Sequence, residues 1–247
     1  MSGDLISLRV LVATSAPSQQ DLWQKGAAMA SVPIDFAAGD AAAASAMLAS
    51  NGADICIVDH ELPEADRTAV IAAARASQSS PLVFMAAPRG SRRTANVDGV
   101  VTKPATSEVA QKLVERCTRT KFPTRVLIVD DSTTMRSIVR KILAASRFAV
   151  DVQEAAEGLA ALQQIGGGNF NLVFLDYNMP GLNGIETLSE IKRTAPNVSV
   201  VMMTSTFDNA LAARAQAAGA LAFLKKPFYP ADIDAVLERH FGVHVAG

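Results

Sequence analysis

The chain has 247 residues, with 23 basic and 24 acidic side chains for a net charge of −1, and 49% of its residues are apolar, many of them in alanine-rich stretches. Near-neutral charge without a basic block gives no electrostatic support for a nucleic-acid surface, and no apolar run approaches a membrane span. The start, Met1-Ser-Gly-Asp-Leu5, lacks a signal-peptide pattern, so the expectation is a cytoplasmic protein of two ordinary domains.

In the first half, Leu8 to Ala13 reads as a strand, and Pro17 opens a helix running to about Ala30. A short strand over Pro33 to Phe36 and an alanine-rich helix over Ala41 to Ser50 lead to a strand over Ala53 to Asp59, which ends in an acid. His60-Glu-Leu-Pro63 follows, then a helix near Ala65 to Ser77, strands over Pro81 to Ala86 and Gly99 to Val101, Lys103-Pro104, and a helix from Ser107 to Arg119. Cys56 lies in an apparent buried strand and Cys117 near a helix end, with no metal-type spacing and no reason to pair.

The second half repeats the order. Val126 to Val129 is an apolar, mostly β-branched strand that stops at Asp130-Asp131, and Ser132 is an N-cap candidate for a helix with Ile138, Val139, Ile142 and Leu143 on one stripe. A strand over Ala149 to Val152 and a helix over Ala156 to Ile165 precede a break at Gly166-Gly-Gly168. Next come a strand over Phe170 to Asp176, the loop Asn178 to Gly184, a helix over Ile185 to Thr194, and a strand over Val198 to Met203 ending at Thr204-Ser205. A helix over Asp208 to Ala218, a strand over Leu221 to Leu224, Lys225-Lys-Pro-Phe228 and a helix over Pro230 to Phe241 complete five strands and five helices. Alternating strands and helices predict doubly wound parallel sheets.

The two halves align by simple offsets. Val10 falls on Val126 at 116, Asp59-His-Glu-Leu-Pro63 on Asp176-Tyr-Asn-Met-Pro180 at 117, Ala86 on Thr204 at 118 and Lys103-Pro104 on Lys226-Pro227 at 123. The last jump places a five-residue deletion between the fourth and fifth strands of the first copy, whose fourth helix is therefore expected to be short or missing. Domains are expected over residues 1–120 and 125–247, joined by a linker over 121–124.

Adjacent carboxylates at a strand end either share a proton, hold a hard cation such as Mg²⁺, or merely cap the helix that follows. In the second half, Asp130-Asp131, Asp176, Thr204 and Lys226 all converge on the carboxyl edge of the expected sheet. With Asp-Asp, Asp-x-x-x-Pro-Gly, Thr-Ser and Lys-Pro-Phe in order over about 120 residues, this half resembles the response-regulator receiver family of two-component signalling. The resemblance implies a flavodoxin-like (CheY-like) fold with strand order 2-1-3-4-5. It makes Asp176 the phosphoacceptor and has Asp131, Asp176 and the backbone carbonyl of Asn178 ligate Mg²⁺, with Asp130 acting through water. Lys226 would neutralise phosphoryl oxygens, Thr204 would donate its hydroxyl to them, and Phe223 would be the switch aromatic.

The resemblance further implies a self-phosphorylating and self-dephosphorylating receiver rather than a turnover enzyme, fed by a sensor histidine kinase or histidine phosphotransfer protein and signalling to a downstream protein. Only Gly242 to Gly247 follows the last helix, so output through protein contact is expected. The first half keeps Asp59 and Lys103 but has Thr14-Ser15, Ala86 and Val100 at the other positions, and reads as a pseudo-receiver in which Asp59 and Lys103 form an ion pair. His60, His240 and His244 are expected to be exposed. The surface left by the shortened fourth helix must be covered, by the second domain or by a second subunit in a homodimer. The competing readings are an aspartate-nucleophile, Mg²⁺-dependent phosphohydrolase, whose acids flank one intervening residue instead of standing adjacent, and an interaction protein that works without phosphate.

Overall fold

The computed structural model describes residues 7–91, 95–206 and 208–244. It comprises two compact units, Met1–Lys121 together with Phe241–Gly247, and Phe122–His240.

The first unit runs β1 (Leu8–Ala13), α1 (Pro17–Ala28), β2 (Ile34–Gly39), α2 (Ala41–Ser50), β3 (Ile55–Asp59), α3 (Glu64–Ala76), β4 (Leu82–Ala87), β5 (Gly99–Thr102) and α4 (Ser107–Arg119). All pairings are parallel in the order β2-β1-β3-β4-β5. Every residue of β3 and β4 is buried, as their unbroken apolar runs demand of strands covered on both faces. Thr106 caps α4 through Val109 N, and Asp40 caps α2 through Ala43 N.

Among the described residues no helix lies between β4 and β5. Val97 is buried there, and the buried carboxylate of Asp98 accepts hydrogen bonds from Val83 N at 2.7 Å and Arg75 Nη2 at 2.9 Å. A single valine and one pinned acid thus help close a surface that a helix covers in the second copy.

The second unit runs β6 (Thr124–Val129), α5 (Thr133–Ala144), β7 (Val150–Ala155), α6 (Gly158–Gly167), β8 (Leu172–Asp176), α7 (Gly184–Thr194), β9 (Ser199–Thr204), α8 (Asn209–Ala217), β10 (Ala222–Lys225) and α9 (Pro230–Phe241). Its order β10-β9-β8-β6-β7 is the same topology as the first sheet. Among the boundaries that differ from the sequence reading, three change how a segment is understood. Thr124 pairs with Val150 as the first residue of β6, so the linker is shorter than 121–124. Gly166 and Gly167 finish α6, leaving only Gly168 as its break. β7 continues to Ala155: Asp151 and Gln153, alternate residues of this edge strand, face solvent, and Glu154, half-buried between them and Ala155, is paired with Arg136 and Arg140.

The sequence reading runs the second domain to residue 247, whereas Phe241–Gly247 belongs with the first unit. Val100 N, on β5, donates to Val243 O at 2.8 Å, and Val243 is fully buried. A Cβ on Gly99 would stand 2.5 Å from that carbonyl, so the close approach requires glycine. Truncation after Phe241 is expected to destabilise the first unit by about 2 kcal/mol, the scale of one buried valine. Denaturant unfolding followed by Trp23, the chain's single and fully buried tryptophan, checks this, as does faster exchange of the Val100 amide. An unchanged midpoint would show that this pairing carries no weight.

Candidate functional site

Four strand ends of the second unit build one acidic edge. β6 delivers Asp130 and Asp131, β8 Asp176, β9 Thr204, and the turn after β10 Lys226. Asp130 is fully buried and Asp176 is 4% exposed, while Asp131 opens to solvent. One oxygen from each of the three carboxylates lies within 4.8 Å of the others. Lys226 Nζ bridges the buried two, 2.6 Å from Asp130 Oδ2 and 2.8 Å from Asp176 Oδ1. Asp130 Oδ1 accepts from Ser132 N at 2.9 Å, and the Ser132 hydroxyl caps α5 through Met135 N.

Local sequence explains how these groups are held. The capping box of Asn183 and Glu186 starts α7, and a Cβ on Gly184 would meet Asp176 O at 2.5 Å, so α7 begins tight against the end of β8 only because that residue is glycine. The Lys226-Pro227 peptide is cis. Asn178 is exposed two residues beyond Asp176. The Thr204 side chain is fully buried, and its Oγ1 is engaged with its own loop, 3.2 Å from both Thr206 N and Thr206 O. Phe223 is half-buried on the edge strand β10, in register with Met202 and packed against the core.

Burial pushes the Asp176 carboxyl above the usual range, and the neighbouring Asp130 charge adds to the rise; the Lys226 bonds oppose it without cancelling it. Burial alone would lower Lys226, but its hydrogen bonds and charge contacts with Asp130 and Asp176 outweigh that and hold it above normal. The donor set of hard carboxylate oxygens, two buried and one open to solvent, fits Mg²⁺. Asp130, Asp131 and Asp176 are the residues able to hold it.

The first unit brings a different set together. Asp59, 2% exposed, takes Thr14 Oγ1 at 2.8 Å and Lys103 Nζ at 2.9 Å on Oδ2, and Glu61 N at 3.1 Å on Oδ1. Lys103 also pairs with Glu61 at 2.6 Å. Lysine bridges two carboxylates in both copies, but the second acid comes from the first strand end in one and from two residues past the buried aspartate in the other. Burial works against the charged form of Asp59, yet the bonds from Lys103, Glu61 N and Thr14 win and lower its pKa. Ala86 and Val100 are buried in β4 and β5, contributing no hydroxyl or aromatic ring.

The histidines depart from the expectation of exposure. His60 Nδ1 lies 3.5 Å from Asp59 Oδ1 with its side chain 30% exposed, His240 Nδ1 is 3.0 Å from Ser199 Oγ, and His244 is half-buried. Ile138 departs the other way: it is 41% exposed, whereas Val139 and Leu143 on the same helix are fully buried. Both cysteines are free and buried, and burial raises each thiol to about 12. The sequence reading also misses Arg136. The 116-residue offset, carried through α5 and β7, is the signal that finds it.

A doubly wound sheet that gathers three acids, a threonine and a lysine at one carboxyl edge defines a receiver-type α/β domain. The family description "Response regulator receiver domain" matches residues 126–238. Chemotaxis protein CheY-3 of Vibrio cholerae is 36% identical over 119 residues, 47% of this chain and 91% of that protein. Chemotaxis protein CheY of Thermotoga maritima is 32% identical over 115 residues, 47% of this chain and 95% of that protein. A solved structure described as a probable two-component system response regulator/GGDEF domain protein covers 96% of this chain and 98% of its own at a TM-score of 0.55 and 22% identity, a likeness of fold that spans both units. The chain belongs to the response-regulator receiver family. Its role is that of a response regulator in two-component signalling. Among the described residues, no helix is long and apolar enough to cross a membrane.

Proposed function

We propose that the second unit accepts a phosphoryl group on Asp176 from a phosphohistidine of a kinase or phosphotransfer protein, and that the first unit does not. The carrying observation is the lysine-bridged pair Asp130 and Asp176 with Asp131 open beside them. An Asp176 oxygen attacks phosphorus, the new P–O bond forms as the P–N bond breaks, and the donor imidazole leaves with the electron pair. Asp131, Asp176 and the Asn178 carbonyl would hold Mg²⁺ directly and Asp130 through water, and the ion would offset the negative charge collected there.

The chain's own residues then respond. Lys226 shifts its contact from the two carboxylates to phosphoryl oxygens. The Thr204 hydroxyl leaves Thr206 to donate to the same group, which draws the loop after β9 inward and opens room for Phe223 to turn from the edge. The result is a switch in protein contacts rather than a turnover enzyme. Asp59 stays unmodified, because Lys103 and Thr14 already occupy both its oxygens and no acid pair stands at Thr14-Ser15.

Acetyl phosphate with Mg²⁺ is expected to label the chain once. Asp176→Asn should abolish the label and Asp59→Asn should keep it, read by phosphate-affinity electrophoresis. Labelling that survives Asp176→Asn would remove the proposal, and sustained hydrolysis of small phosphomonoesters would favour a phosphohydrolase instead.

A further inference from the structure

Arg136 sits 14% exposed on α5, and its contacts to the acid pair are to backbone oxygens. Nη1 donates to Asp130 O at 2.7 Å and reaches Asp131 O at 3.4 Å, while Nη2 lies 3.3 Å from Thr133 Oγ1. Nε binds Glu154 Oε2 on β7 at 2.9 Å, and the other oxygen of Glu154 takes Arg140 Nε at 2.7 Å. A planar guanidinium carries its donors in a fixed fork, so it holds two successive carbonyls and an anchor in set directions, whereas an ammonium donates from a single freely rotating point. Glu154 offsets one of the two guanidinium charges, and Arg136 meets the acid pair through backbone oxygens, so its main effect on the pair is to fix its backbone.

The first copy shows what the fold alone needs at this place. At the same offset of 116, Arg136 corresponds to Gln20, Arg140 to Gln24 and Glu154 to Ala38. The strand registers agree, Val12 opposite Ala38 and Ile128 opposite Glu154. Gln20 Nε2 donates to Thr14 O at 2.9 Å, the counterpart of the Arg136 bond to Asp130 O. A neutral amide therefore suffices to join the helix to the end of the first strand. The second carbonyl contact and the ionic anchor occur only in the copy that keeps the acids.

We propose that Arg136, anchored by Glu154, is a positioning residue that holds the Asp130-Asp131 backbone in the arrangement that binds the divalent cation. This rests on the reading of that acid pair as a Mg²⁺ site. Isothermal titration of the full chain with Mg²⁺ tests it. Arg136→Gln, which copies the first unit's solution, is expected to weaken Mg²⁺ about tenfold, the scale of losing a residue that orients metal ligands. Its thermal melt should stay close to that of wild type, since Gln20 keeps the structural bond in the other copy. Glu154→Gln should weaken binding several-fold, and Arg140→Gln, whose side chain among the described residues hydrogen-bonds to Glu154 and Val152 O and not to the acid pair, by less than about twofold.

Arg136→Gln that binds Mg²⁺ as wild type does overturns the proposal. If Arg136→Gln fails to fold, Glu154→Gln decides in its place, and unchanged affinity there also overturns it. Wild-type protein that takes up no Mg²⁺ would instead defeat the metal reading itself, and the proposal with it.

Discussion

Lys226→Met is expected to lower the stability of the second unit by about 3 kcal/mol at neutral pH without divalent cation, because it leaves two buried carboxylates facing each other unpaired. Lys226 is 14% exposed and both partners are almost wholly buried, so water that takes the place of the lost donor does not supply its charge. The loss should shrink on acidification. The Asp176 pKa is raised by folding, so the folded state takes up its proton at higher pH than the unfolded state, and its penalty fades as pH falls through the folded value. Adding Mg²⁺ should restore stability, by about 1.4 kcal/mol for each tenfold of free ion above the dissociation constant. Far-UV circular dichroism follows both units and Trp23, in α1, follows the first alone, so the second unit's transition is the part of the dichroism that Trp23 does not share; the Trp23 transition should not move. Wild-type stability in this variant would mean that the two acids are already neutral or apart.

The paired substitutions Asp59→Asn and Asp176→Asn should move stability in opposite directions, although they occupy matching positions. Asp59 has a lowered pKa, so its contribution is present above the ordinary carboxylate value and is lost as pH falls through the folded one. Asparagine there breaks a buried pair with Lys103 and turns an amide donor towards other donors, which costs about 3 kcal/mol in the first unit at neutral pH. At Asp176 the same change removes a charge that burial and Asp130 oppose, and should stabilise the second unit by about 1 kcal/mol, the scale of one partly screened charge pair. Trp23 fluorescence separates the first effect from the second. Losses of equal size in both units would contradict the electrostatic difference between the copies.

What the sequence reveals and what it hides follow from how local each feature is. Strand cores such as Val126 to Val129 and caps such as Ser132 are written in neighbouring residues, and the carboxyl edge follows from the alternation of strand and helix. Repetition at a near-constant offset then groups Asp130, Asp131, Asp176, Thr204 and Lys226. Glu61 is harder to see, because its pairing with Lys103 depends on how a loop lies over the strand end. β7 hides half its length behind polar residues that an edge strand tolerates. The deletion between β4 and β5 can be counted, but nothing near it announces that Asp98 and the distant Val243 take over part of the covering.

That last pairing reverses the order in which the molecule can be completed. The first unit emerges from the ribosome first, yet the hydrogen bond from Val100 N on the outer rim of β5 finds its acceptor only when residue 243 has been synthesised. The half made earliest is therefore finished last, and during translation it presents an open rim that a chaperone or another nascent chain can occupy.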